Sequence, residues 1–262
     1  MTLGLLSAAL ICYIACISLA VIGVAYRSAT ARRAASLMFP LTWLAHLAAV
    51  ISAGFTAGRF PVANLAEFLL LLSWAVLTIH LFIWFKLKVY MAGLLLPPLA
   101  AIAALAALPM LSSGGAQAAA RQDALLLFHA TVSTVGMATL CAAFAMSVFY
   151  LLVDRGLKAH RRLALLKRLP SLDRCDLIGF RALKIGFFLL TVGIGTGVVV
   201  NVELHHKIWL WSAKGTFPLL AWLVFAATLT ARTALGFRGR KSAYLIITGF
   251  VLGLLTIIGM TL

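Results

Sequence analysis

Residues 3–26 read LGLLSAALICYIACISLAVIGVAY, an unbroken run without a charged side chain. About 20 apolar residues, each rising 1.5 Å, cross the hydrocarbon core of a bilayer, so the stretch reads as a transmembrane helix. No basic segment precedes it and its apolar run is longer than the centre of a cleaved export signal, so it is expected to stay in the mature protein. Seven further runs of similar character follow, at about 37–55, 65–85, 89–109, 124–153, 182–201, 217–235 and 243–262. The expectation is an all-α integral membrane protein, a bundle of about eight transmembrane helices. Composition agrees: 64% of residues are hydrophobic and 11% charged, against about 45–50% and 25% in soluble domains. Pro97 and Pro98 fall inside the fourth run, where a kink or break is expected.

The connectors fix an orientation, because loops on the cytoplasmic side of bacterial-type membrane proteins collect Lys and Arg. Those at 27–36, 86–88, 154–184 and 232–242 hold 3, 2, 9 and 4 basic residues, and the alternate ones at 56–64, 110–123 and 202–216 hold 1, 1 and 2. Eighteen of the 22 basic residues therefore lie on one side. The reading is a multi-pass protein of the bacterial cytoplasmic (inner) membrane with both termini on the exported, periplasmic side. The net charge of +16 then follows from topology and from anionic lipid at the inner face, and no nucleic-acid partner is called for.

No linker, low-complexity tract or alignable repeat divides the chain, which reads as a single integral domain over 1–262 with a basic cytoplasmic loop at about 154–184. Within that loop Leu163, Leu166 and Leu169 are spaced for a short amphipathic helix on the membrane surface, or for nothing beyond a positive-inside loop. Cys12, Cys16 and Cys141 read as small core residues and Cys175 as a cytoplasmic thiol; four scattered cysteines make no disulfide framework. Gly193 with Gly197, and Gly249 with Gly253, have the four-residue spacing of tight transmembrane packing.

Ionisable groups within a membrane are costly and are candidates for function. His46 lies near the middle of the second run, His80 toward the cytoplasmic end of the third, and His129 about 7 Å below the exported surface of the fifth. After His129 come Thr131, Ser133, Thr134, Gly136, Ala138 and Thr139, small residues that leave room beside a helix for something flat. The exported connector 201–217, NVELHHKIWLWSAKGTF, adds His205, His206, Trp209 and Trp211 on the same side. Two readings fit. One is an interfacial belt of tryptophans at headgroup level. The other is a surface for haem, with imidazole for the iron, aromatic planes for the macrocycle, and Lys207, Lys214 or Arg59 for the propionates.

Other chemistries lack their residues. Glu67 is the one carboxylate near a membrane interior, so the acidic ladder of a pump is missing, and no serine, histidine and acid share a face. No HExxH, phosphate-binding loop or dinucleotide fingerprint occurs.

Three stretches resemble the cytochrome c assembly protein family, membrane haem-handling proteins that include the CcsA, CcmC, HemX and YpjD types. GRFPVANLAEFLLLLSWAV at 58–76 is similar to the family's Phe-Pro, Asn-Leu and Glu ahead of a Ser-Trp. FHATVSTVGMATL, and later LPSLDRCDLIGFRALKIGFFLLTVGIGTG, are similar to its His-led helix and its Leu-Asp, Gly-Phe, Leu-Leu-Thr-x-Gly-x-x-x-Gly signature. WLWSAKGTFPLLAWL, then LTAR and GFRGRK, match in order the tryptophan-rich exported segment and the basic turn after it. The resemblance covers about residues 56–262.

In haem-handling members the tryptophan-rich segment forms a haem surface outside the membrane, with flanking histidines as ligands. The resemblance carries that role to His129, and to Trp209, Trp211 and Lys214 in the segment itself. Where the family has Trp-Asp-Pro-Lys-Glu-Thr-Trp, however, this chain runs from Trp211 through Ser212, Ala213, Lys214, Gly215 and Thr216 to Phe217, and Thr230 replaces the histidine of Leu-His-Thr-Arg. These departures place the chain nearest the short HemX/YpjD-type branch. From spacing alone, His205 or His206 could supply a missing ligand, and His46 could pair with His129 if their helices adjoin. The expectation is a non-enzymatic haem-binding or haem-handling component of cytochrome c biogenesis, holding non-covalent haem b near the exported face. Its partners would be membrane lipid and other biogenesis proteins or an apocytochrome. A haem-free membrane scaffold or regulator of the same family is the alternative, supported by the altered Ser212–Phe217 segment.

Overall fold

The structure, a computed structural model, describes residues 1–112, 124–158, 170–205 and 213–259; for 112, 203–205, 213–214 and 258–259 it describes backbone only. Among these residues are eight helical segments long and apolar enough to cross a membrane, the fourth of them Tyr90–Leu111; the α-helices are α1 (Thr2–Ala25), α2 (Ala29–Ala57), α3 (Leu65–Phe85), α4 (Leu96–Ser112), α5 (Ala124–Lys158), α6 (Leu172–His205), α7 (Ala213–Ala234) and α8 (Arg240–Gly259). A 3₁₀ turn, Tyr90–Leu94, precedes α4. The all-α multi-pass expectation holds. Large apolar side chains such as Ile11, Ile14, Phe55 and Phe188 are about two-thirds or more exposed on helix flanks, a pattern suited to lipid tails and costly in water.

Helix ends depart from the apolar runs where the capping residues lie outside them. α2 begins eight residues early because Ser28 accepts the Ala31 amide at 3.1 Å, closing the first turn across a basic segment. α6 begins ten residues early, so LDRCDLIGFRAL is helix and not loop. Hydropathy marks where a helix meets lipid, and nothing in a charged turn obliges it to stop there. The break expected at Pro97 and Pro98 falls just before them, at Leu95. Both prolines then occupy the first turn of α4, where their missing amide hydrogens leave no bond unmade.

The chain forms two compact units, residues 1–122 and 123–262. In the first, α1 packs on α2 and α4, α2 on α3, and α3 on α4, around Leu6, Ala49, Val50, Leu70, Leu71 and Ala104. Its loop between α2 and α3 is fixed by Glu67, whose carboxylate accepts from Arg59 at 2.8 and 2.9 Å and from the Ala63 amide at 2.7 Å. Asn64 caps α3 through the Glu67 amide.

In the second unit α5 lies along α6 and also touches α8, while α7 packs on α8 and α6. The α5–α6 seam is built on glycine. A Cβ added at Gly179 would lie 3.3 Å from Met146, at Gly186 2.8 Å from Leu140, and at Gly193 2.9 Å from Ser133. Three glycines seven apart keep one face of α6 bare over four turns, so two backbones approach closely where dispersion and not water exclusion drives packing. The basic end is latched by Asp176 of α6, which accepts both terminal nitrogens of Arg232 from α7, and the Gly239 amide at 3.4 Å. Arg232 also lies 4.0 Å above the Phe180 ring and donates to Ser242 at 3.3 Å. Cys175, read as a cytoplasmic thiol, is buried here at 1% exposure. The Leu163, Leu166 and Leu169 helix lies outside the described residues.

Candidate functional site

His129 is the sixth residue of α5, half-buried against α6. Its Nδ1 is 3.0 Å from the Gly193 carbonyl and 3.1 Å from the Thr196 hydroxyl oxygen. A carbonyl only accepts, so Nδ1 carries the hydrogen and Nε2 is left with a lone pair. The Thr196 hydroxyl donates to the Val192 carbonyl at 2.8 Å, which leaves its own lone pairs facing the ring. Gly197 completes the seat: a Cβ there would come within 2.8 Å of His129 Cε1. Among the described residues Nε2 has no hydrogen-bond partner. An imidazole whose rear nitrogen donates to a backbone carbonyl, with the other nitrogen bare, has the arrangement of metal-ligating histidines.

The small residues after His129 do not leave a vacant groove. Ser133 sits against Gly193, and Gly136 against Leu189, so α6 fills much of the space that the sequence suggested for a flat ligand.

His46 is in a different condition. It is 0% exposed, with Nε2 donating to the Leu70 carbonyl at 3.0 Å and lying 3.1 Å from Ser73 Oγ. Tyr13 supplies the other nitrogen, its hydroxyl donating to Nδ1 at 3.3 Å. Both ring nitrogens are spent within the first unit, and an iron at His46 would first have to displace Tyr13 or the Leu70 carbonyl. Tyr13→Phe is expected to cost about 1–3 kcal/mol, the penalty for a buried acceptor left without its donor. The unfolding midpoint in detergent measures this, and a change below about 0.5 kcal/mol would mean that the tyrosine hydroxyl contributes nothing.

Of the remaining candidates, His206, Trp209 and Trp211 lie outside the described residues, and His205 and Lys214 are described by backbone alone, at the last position of α6 and in the first turn of α7. Arg59 is committed to Glu67. His80 is fully buried, neither nitrogen hydrogen-bonded among the described residues, and lies edge-on to Phe39 at 4.4 Å between ring centres. Sequence reasoning missed Thr196, whose placement between two glycines already read as packing residues was the available signal.

The donor set fits a haem iron at one position: a bare imidazole nitrogen, braced from behind, near one end of a helix pair. Fold and site together define a multi-pass helical membrane protein in which His129, among the described side chains, sets one imidazole nitrogen against a carbonyl and leaves the other bare. The sequence model of the family described as Cytochrome C assembly protein matches residues 62–262, and the chain belongs to that family. It is 30% identical over 254 residues to the cytochrome c biogenesis protein CcsA of Gloeothece citriformis, covering 79% of this chain and 77% of that one. The CcsA of Guillardia theta is 30% identical over 217 residues, covering 74% and 71%. That of Pyropia yezoensis is 28% identical over 258 residues, covering 84% and 81%.

Proposed function

We propose that this chain is a haem-binding or haem-handover component of cytochrome c assembly, and that His129 Nε2 is its iron ligand. The observation that supports it most directly is the Nδ1 contact to the Gly193 carbonyl, which leaves the nitrogen a metal requires. Haem supplies an iron coordination position and a visible absorption. Around it, Trp209 and Trp211 offer aromatic contact and Lys214 a cation for propionates, as the resemblance implies, and Lys207 is a further cation in the same connector. The chain alone makes no covalent bond, and thioether formation would need a partner apocytochrome presenting Cys-x-x-Cys-His. The altered Ser212–Phe217 segment is the reason for assigning it to the HemX/YpjD-type branch.

In this reading the protein resides in the bacterial inner membrane with its basic ends in the cytoplasm, against anionic lipid, and His129 toward the exported side. Alkaline phosphatase fused after Lys207 is expected to be active and after Arg162 inactive; the reverse pattern would put the site on the wrong side. The functional test is a reduced-minus-oxidised spectrum of the detergent-purified protein with pyridine haemochrome quantification. A b-type signal near one haem per chain is expected. No haem, even after expression with added precursor, would favour the haem-free scaffold, for which the lost acids between Trp211 and Phe217 already speak.

A further inference from the structure

We propose that Thr196 is a positioning residue for His129, fixing which imidazole nitrogen is offered outward; its consequence for haem rests on the function proposed above, but the positioning itself does not. Two acceptors meet Nδ1, the Gly193 carbonyl at 3.0 Å and Thr196 Oγ1 at 3.1 Å. The carbonyl is a shared acceptor, since inside a helix it also receives the amide four residues on. The hydroxyl is turned into an acceptor by its neighbours: its hydrogen goes to the Val192 carbonyl at 2.8 Å, with the Gly193 carbonyl also near at 3.1 Å. Nδ1 therefore faces lone pairs from two directions and no donor from either.

Thr196 and Gly197 divide the work. At Gly197 the missing Cβ leaves a slot for the ring edge, since an added carbon would lie 2.8 Å from Cε1 and 3.3 Å from Nδ1. The slot admits the ring without choosing its tautomer. The choice falls to the acceptors, and Thr196 is the side chain among them, so it is the one that substitution can alter. Groups of this kind behind a metal-bound imidazole raise its donor strength, and their loss typically weakens metal binding about 10–100-fold.

The test uses the haem-free full-length protein in detergent, with ¹⁵N-labelled histidine. His129, assigned by comparison with His129→Gln, is expected to show a protonated Nδ1 and an unprotonated Nε2. Thr196→Val removes one of the two acceptors at nearly constant volume and is expected to raise the Nε2-protonated tautomer above its wild-type population, while Thr196→Ser keeps the wild-type pattern. A wild-type ring protonated at Nε2 overturns the proposal even if the valine variant fails to fold, and so does a valine variant with an unchanged tautomer. In haem-loaded protein, Thr196→Val is expected to lose about tenfold in haem affinity, with serine restoring it. If the tautomer responds as stated but His129→Gln leaves the haem spectrum intact, the positioning role stands and His129 is not the ligand.

Discussion

Replacing His129 with alanine is expected to reduce bound haem by more than about tenfold and to abolish or shift the b-type band. Loss of a metal-ligating imidazole removes more than the loss of its supporting hydrogen bond, which alone is worth about 10–100-fold. The structural cost is small. The Gly193 carbonyl keeps its helical bond, the ring is only half-buried, and one lost hydrogen bond contributes about 1 kcal/mol. The unfolding midpoint should therefore barely move while the spectrum collapses. His46→Gln is the matched control: that ring is engaged at both nitrogens by Tyr13 and the Leu70 carbonyl, so stability should fall and haem should remain. If His129→Ala leaves the spectrum unchanged and His46→Gln removes the band, the ligand assignment is reversed.

The second large effect is on folding. Arg232→Met is expected to destabilise the protein by about 3–5 kcal/mol, because the Asp176 carboxyl would lose its ion-pair partner in a pocket where the Gly239 amide is a poor substitute for a guanidinium. The side chains of Arg232 and Asp176 are only 8% and 20% exposed, so water does not compensate as it does at a surface pair. The double variant Asp176→Leu with Arg232→Met should regain most of the loss, since apolar pairs of similar volume often match a buried ion pair. Denaturant or thermal unfolding in detergent reads both. A single-variant cost under about 1 kcal/mol would class the pair with solvent-screened surface bridges.

Much of the candidate site was legible as residues and little of it as geometry. His129 stood out because an imidazole about a turn and a half inside an apolar helix is costly unless it is used. Gly193 and Gly197 were legible as packing residues from their spacing. That they serve His129 was not legible, because 64 residues separate His129 from Gly193 and no local pattern encodes which helix α5 will face. His46, also an imidazole in an apolar run, was left open by its sequence as a second ligand. Tyr13, Leu70 and Ser73, from two other helices, take it up entirely.

The sequence by itself determined the class of fold, because crossing a bilayer requires long apolar runs with their backbone bonds closed internally, and both are properties of local segments. It also determined a basic side and the family, since charge in the connectors and ordered motifs need no three-dimensional partner to be read. Only the tertiary structure decided where helices end, how α5 and α6 meet, and which histidine is braced at one nitrogen with the other left bare. Caps such as Ser28 act through single hydrogen bonds that hydropathy does not register. The last decision depends on directional contacts of about 3 Å between distant residues, and a carbonyl or hydroxyl acquires its role as acceptor only when packing brings a ring against it.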